Sequence, residues 1–247
     1  VLRWFTFIRA LDLKVPFGEA LKYFCIGLFG NLFLPRAIGG DAIKIYGLCK
    51  DNAAQKAKVV ASVLLDRLSG YAGMVVIASA AFAVGGEYVN DWSILGMIVV
   101  MAGGWVVVMA VLLNEQLYSF FCRVFNRLPK IKEAVMKMHY DIALLQGRKD
   151  VLWQTVALSC VAQILLAYVF FLLAKGLHQD MKMVYFLVFV PLICVASSFP
   201  SIGGLGVREM GAAYLFGKVG MASGIAVSIS LVNFLFMAAV GLLGGLY

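Results

Sequence analysis

Asn31-Leu-Phe-Leu-Pro35-Arg-Ala-Ile-Gly39-Gly40-Asp41 stands near the start of the chain, and Ser197-Ser-Phe-Pro200-Ser-Ile-Gly203-Gly204-Leu-Gly206-Val-Arg208-Glu209 near its end. In each, an apolar run meets a proline, then Ile-Gly-Gly, then charge. Proline lacks a backbone donor and glycine leaves the backbone uncovered, so helical hydrogen bonding is expected to break at Pro35, Gly39 and Gly40, and again at Pro200, Gly203, Gly204 and Gly206. Irregular backbone at membrane depth persists only where protein buries it or water reaches it. A matched pair of breaks in two halves of a chain therefore points to a substrate pathway between them.

The surrounding composition makes this a membrane reading. Mean hydropathy is +0.93, 63% of residues are hydrophobic and 14% are charged, against about 25% charge in soluble domains. Runs at about Val59–Val84, Trp92–Leu113 and Val151–Ala174 approach or exceed the roughly 20 apolar residues of a spanning helix. Met183–Pro200 and Ala222–Tyr247 are two further candidates, while Glu19–Leu34 is short and includes Lys22. The fold expected is all-α and polytopic, with about five to seven membrane segments, one or two re-entrant hairpins and an inverted repeat. Residues 1–247 read as one integral membrane domain. Because the chain opens on Val1 and its last apolar run reaches Tyr247, an excerpt of a longer protein is expected.

The net charge of +8 comes from loops. Lys44, Lys50, Lys56 and Lys58 follow the first break, and seven Lys or Arg lie between Asn114 and Asp150, whereas Gly85–Asp91 holds only Glu87 and Asp91. The positive-inside rule puts the two basic regions in the cytoplasm. The N-terminal arm is basic too, through Arg3, Arg9 and Lys14. Glu19–Leu48 is then expected to dip in and return, turning at Pro35–Gly40. Met183–Met221 could do the same from the outer face, unless Met183–Pro200 spans. Within residues 114–150, Leu117, Phe120, Phe121, Val124 and Phe125 recur at helical spacing, which fits a cytoplasmic amphipathic connection at the headgroup plane as well as a plain linker.

Asp66 and Arg67 stand inside the span that begins at Val59. Ionisable groups there cost about 2.5–3.5 kcal/mol each on insertion scales, so they face a partner or a cavity. Adjacent residues point about 100° apart on a helix, so the pair need not satisfy itself. Asp66 could meet Lys44 or Arg208, and Arg67 could meet Asp41 or Glu209. Either these charges staple helices together or they contact a lipid headgroup. Gly39 and Gly40 leave N–H groups open to an anion, with Asp41 as a helix cap and Lys44 one turn on. Arg208, beside Glu209, offers a guanidinium fork suited to phosphate. No catalytic residue, metal or cofactor is expected: His139 and His178 are far apart, and the five cysteines show no CxxC spacing. Trp92, Trp105 and Trp153 read mostly as interfacial anchors, and Gly103-Gly104 and Gly241–Gly245 as close helix contacts.

Four blocks together, Asn31 to Pro35, Gly39-Gly40-Asp41-Ala-Ile-Lys44, Ser62-Val-Leu-Leu-Asp66-Arg67-Leu-Ser-Gly70 and Phe199-Pro200 through Glu209, resemble the lysylphosphatidylglycerol synthase transmembrane (flippase-like) domain family in order and spacing. The resemblance spans nearly the whole chain. It departs where Lys44 replaces a frequent Arg, keeping charge but losing the fork, and at Arg36, where a small residue is common. The resemblance implies a multi-pass protein of a bacterial or archaeal inner membrane that handles lipids. In bifunctional members such a domain translocates aminoacylated phosphatidylglycerol, and a separate cytosolic domain, not found in these residues, transfers the amino acid from tRNA. Relatives without that domain are linked to glycolipid, isoprenoid-lipid or hopanoid pathways.

Three functions follow as expectations. The first is translocation or binding of a phospholipid or lipid-linked headgroup, with Arg208, Arg67 and Lys44 on the phosphate and Asp41, Asp66 and Glu209 balancing charge or receiving an amino group. The second is the membrane component of an aminoacyl- or glycosyl-transferase, with Asp41 or Asp66 as base. The third is a scaffold whose charges are structural. Expected partners are anionic or aminoacylated phospholipids, with a cytosolic transferase domain or protein and a second copy of the chain as further candidates, and no nucleic acid.

Overall fold

The computed structural model describes residues 1–34, 39–51, 55–89, 91–114, 148–198 and 205–245. Among these residues all regular structure is helical: α1 Leu2–Ala10, α2 Phe17–Phe33, α3 Gly39–Asp51, α4 Lys56–Gly85, α5 Trp92–Leu113, α6 Lys149–Gly176, α7 Met183–Ala196, α8 Val207–Gly217 and α9 Ser223–Gly244. Helices α4, α5, α6 and α9 are long and apolar enough to cross a membrane. Their outward faces carry Val99, Val100, Leu165, Leu235, Phe236 and Leu242 exposed, as expected where lipid replaces water. The expected amphipathic connection lies outside the described residues, apart from its ends.

Local sequence sets the ends of these elements. Trp4, Phe7, Ile8 and Leu11 recur at helical spacing and are buried, so the basic N-terminal arm is a docked helix. Its end is closed by the Leu13 N–H donating to the Ile8 carbonyl at 3.1 Å, with Asp12 at φ 55°. Pro16, at φ −68°, starts α2. Asp91 caps α5, its Oδ1 accepting from the Ser93 N–H at 2.8 Å.

The same three-helix order occurs twice. The hairpin α2–α3 precedes the long helix α4, and α7–α8 precedes α9. Helix α4 packs on α7 of the second unit, and α9 packs on α2 of the first; α6 touches α4, α7 and α9. Each long helix thus covers the other unit's hairpin. At 14 residues, α7 rises only about 21 Å, short of a bilayer core about 30 Å thick. It carries Pro191 internally and turns back into α8. The helix of the Met183–Pro200 run ends at Ala196 and packs on α4, α6 and α8.

Small residues let these backbones approach. A Cβ on Gly73 of α4 would lie 2.5 Å from the Ser159 Cβ of α6, and one on Gly241 of α9 would lie 3.3 Å from the Leu28 carbonyl oxygen of α2. Two expectations are corrected. A Cβ on Gly103 or Gly104 would meet nothing within 4 Å, so these are not close contacts. Trp105 is no interfacial anchor: it sits mid-helix, and its Nε1–H donates to the Leu68 carbonyl at 3.2 Å. Two separate apolar cores result, one built on Trp4, Phe7, Leu48 and Val59, the other on Phe186, Phe189, Phe216 and Ile229.

Candidate functional site

The charged residues predicted within the membrane segments fall into two clusters. In the first, Asp66 and Arg67 diverge as their helical spacing requires. Asp66 Oδ1 accepts from Arg3 Nε at 2.6 Å, and Arg67 Nε donates to Asp41 Oδ2 at 2.5 Å. Arg3 Nη1 also donates to Ser159 Oγ at 3.1 Å, which ties α1 to both α4 and α6. The Asp66 partner is neither Lys44 nor Arg208; it is Arg3, which sequence reasoning assigned to a loop. Lys44 is buried, 3.4 Å from Asp41 and within 4.7 Å of the Phe24 ring centroid. Among the described residues, three cations face two carboxylates here, an excess of one positive charge.

The second cluster is more enclosed. Arg208, 4% exposed, donates from Nη2 to Glu209 Oε1 at 2.5 Å and from Nε to Ser230 Oγ at 2.9 Å, with its guanidinium 5.2 Å from the Phe234 ring centroid. Adjacent side chains meet because the Glu209 carboxylate folds back over the helix start, where Oε2 accepts the Gly206 N–H at 2.6 Å. Gly206 has φ +88°, a conformation side chains rarely adopt.

Of the two glycine N–H groups expected to await an anion, that of Gly40 is already used, and so is the Gly206 N–H at the second break. Gly40 donates to Asn31 Oδ1 at 2.8 Å, just as Gly206 donates to Glu209. Helix α3 begins at Gly39, so Asp41 lies in its first turn and is not its cap. Pro35, Pro200, Gly203 and Gly204 lie outside the described residues.

Between the clusters are two adjoining cavities, of about 310 Å³ and 180 Å³. Asn31 at the end of α2, Cys194 at the end of α7 and Leu166 of α6 line both. The ends of the two hairpins' leading helices thus converge on one space. Arg3, Arg67, Tyr71, Gln163 and Ser198 complete the polar lining of the larger cavity. The smaller holds Arg208 and Asn233 among apolar side chains such as Leu28, Phe170 and Met237. Among the described residues the charged groups lining either cavity are all arginines. Asp41, Lys44, Asp66 and Glu209 pair with them or with one another and do not line it.

Gln163 and Asn233 were not singled out from sequence. Their signal was available, since Asn233 is the one amide of its apolar spanning run and Gln163 stands deep in another, nine residues past Gln154. Among the described residues no group of three or more His, Cys, Asp or Glu could hold a metal.

This is a multi-pass helical membrane protein with paired helical hairpins around an arginine-lined cavity. The family described as the lysylphosphatidylglycerol synthase TM region matches residues 1–245, and the chain belongs to that family. A UPF0104 membrane protein of Pyrococcus horikoshii is 26% identical over 261 residues, covering 94% of this chain and 76% of the relative. No solved structure matches.

Proposed function

We propose that this protein binds the anionic headgroup of a phospholipid or lipid-linked phosphate in the cavity between its hairpins and moves it across a bacterial or archaeal cytoplasmic membrane. One observation carries the reading: the charged lining is cationic, while the matching carboxylates are held off the cavity wall. Arg3, Arg67 and Arg208 are the phosphate ligands. Asp41, Asp66 and Glu209 position them, so that the guanidiniums are in place before a ligand arrives. Lys44 holds Asp41 and keeps the local charge positive. The acyl chains stay in lipid while the headgroup crosses in the cavity, which avoids carrying a bare phosphate through hydrocarbon. A volume near 310 Å³ suits a small headgroup, being at the lower end of the range of about 300–1,000 Å³ for ligand sites.

The test is headgroup accessibility of fluorescent phosphatidylglycerol and lysyl-phosphatidylglycerol in proteoliposomes, read with an impermeant quencher. Inner-leaflet loss should be fast with wild type and slower by about tenfold or more with Arg67→Gln, as expected for a lost charge-assisted contact. Lys218→Met, remote from the cavity lining, serves as the control. Wild-type rates equal to those of protein-free vesicles across these lipids would refute translocation and favour a membrane component of an aminoacyl- or glycosyl-transferase.

A further inference from the structure

We propose that a groove between α1 and α6 holds a resident lipid by a phosphoethanolamine-type headgroup, a phosphate joined through a short ethyl link to a primary ammonium. The groove measures about 370 Å³ and shares no lining residue with either central cavity. The two helices run antiparallel along it. Arg3 Nη1 reaches Ser159 Oγ at one end, and Arg148 Nη1 donates to the Ala10 carbonyl at 2.9 Å at the other. The second contact sets the Arg148 guanidinium against the last turn of α1, where Arg9 folds back over Phe5, 4.9 Å from the ring centroid.

Polarity is graded along the groove. Arg9, Arg148 and Asp150 stand at the shallow end, all exposed. Thr6 and Gln154 follow, and Leu2 and Leu158 close the deep end, where eight residues of α6 from Asp150 rise about 12 Å. Charge, then polar groups, then hydrocarbon is the order a lipid presents at an interface. Trp153, 76% exposed and next to Gln154, marks the headgroup level, and the basic loops make this end the cytoplasmic one. Among the described residues neither Arg9, Arg148 nor Asp150 has an ion pair. Two guanidiniums answer a phosphate. A phosphate alone would leave the Asp150 carboxylate facing an anion, whereas a primary ammonium beside that phosphate donates to the carboxylate. Choline carries the same charge without an N–H, and a glycerol headgroup supplies no positive charge. Such a lipid would join α1 to α6 at the surface, while Arg3, six residues and about 9 Å along α1, joins it to Asp66 and Ser159 at depth.

The experiment is competition in detergent, on the full chain, between phosphatidylethanolamine and phosphatidylcholine of identical acyl chains, with retained lipid counted by native mass spectrometry. Wild type should retain phosphatidylethanolamine about tenfold or more over its competitor, as for a charge-assisted hydrogen bond that only one headgroup can make. Asp150→Asn should bring the ratio toward one, and Arg9→Gln should lower retention of both lipids. Both residues are exposed, so neither substitution threatens folding. Arg67→Gln, in the central cavity, should leave the ratio unchanged, which separates this site from the transport reading. A wild-type ratio near one overturns the inference. So does a ratio unchanged by Asp150→Asn, or one lost with Arg67→Gln, which would move the lipid to the central cavity. Phosphatidylglycerol retained as well as phosphatidylethanolamine by the Arg67→Gln protein would overturn the ammonium's role. Equal displacement by soluble phosphoethanolamine would keep the headgroup chemistry and overturn the lipid as its source.

Discussion

Arg67 Nε lies 2.5 Å from Asp41 Oδ2, joining the first turn of α3 to the middle of α4 across 26 residues of sequence. The contact fixes the first hairpin's returning helix against a spanning helix while leaving Arg67, about a third exposed, on the cavity wall. Asp41→Asn should lower lipid transport more than it lowers stability, because Arg67 loses its orientation while keeping its charge. A double-mutant cycle with Arg67→Gln on thermal unfolding in detergent should return a coupling on the order of 1 kcal/mol, discounted for exposure. Additive effects would mean that the two groups act independently.

Asn31 has two duties that substitution should separate. Its Oδ1 accepts the Gly40 N–H at the start of α3, and the residue lines both cavities. Asn31→Ala should cost about 1 kcal/mol, the usual loss of a helix N-terminal acceptor. Asn31→Asp keeps an acceptor, and a favourable one at a helix N-terminus, so its melting temperature should stay near wild type. Its negative charge beside the arginines should still suppress anion binding, read as lost retention of phosphatidylglycerol.

Gly73 and Gly103 predict opposite outcomes for one substitution. Gly73→Val would drive a side chain into Ser159 of α6, an overpacking cost of about 1–3 kcal/mol with displaced Ser159 and Arg3 contacts. Gly103→Val points into open space and should be close to neutral. Thermal unfolding of the two purified variants measures the difference.

Asp91, Ser93 and Lys218 form a polar junction at the start of α5, with Asp91 and Lys218 outside the spanning segments. Lys218 Nζ contacts the Asp91 carboxylate and donates to Ser93 Oγ at 2.7 Å, linking the start of α5 to the end of α8. The Lys218 contact, then the Ser93 hydroxyl and N–H, lower the Asp91 carboxyl from 3.8 to about 2. A depressed folded-state value contributes stability that is complete above the unfolded value and lost as pH falls through the folded one. The unfolding temperature should therefore show no Asp91-linked change from pH 8 to 5, and an Asp91-linked decline between about pH 4 and 2. Lys218→Met should shrink that decline.

Much of this was legible in the sequence because a bilayer imposes simple rules. Apolar length marked α4, α5, α6 and α9 to within a few residues. Pro35 with Gly39-Gly40, and Pro200 with Gly203-Gly204, marked the two hairpins. The divergence of Asp66 from Arg67 followed from helical geometry alone. Partner choice did not follow, because it depends on which helices become neighbours. Arg3 looked like a loop charge until α1 docked through Trp4 and Phe7 and brought it to Asp66. Gly40 looked like an open anion donor until Asn31 was found on its N–H group.

By itself the sequence determined that the chain is a helical membrane protein with two broken segments and charges that must be compensated, because hydrocarbon penalises every unpaired polar group wherever the chain goes. Only the tertiary structure decided which groups face the cavity. The exchange of α4 and α9 between the two hairpins brings Asn31 and Cys194, 163 residues apart, to one space. It leaves the arginines on the cavity wall and the carboxylates off it, a sorting by packing that linear spacing does not encode.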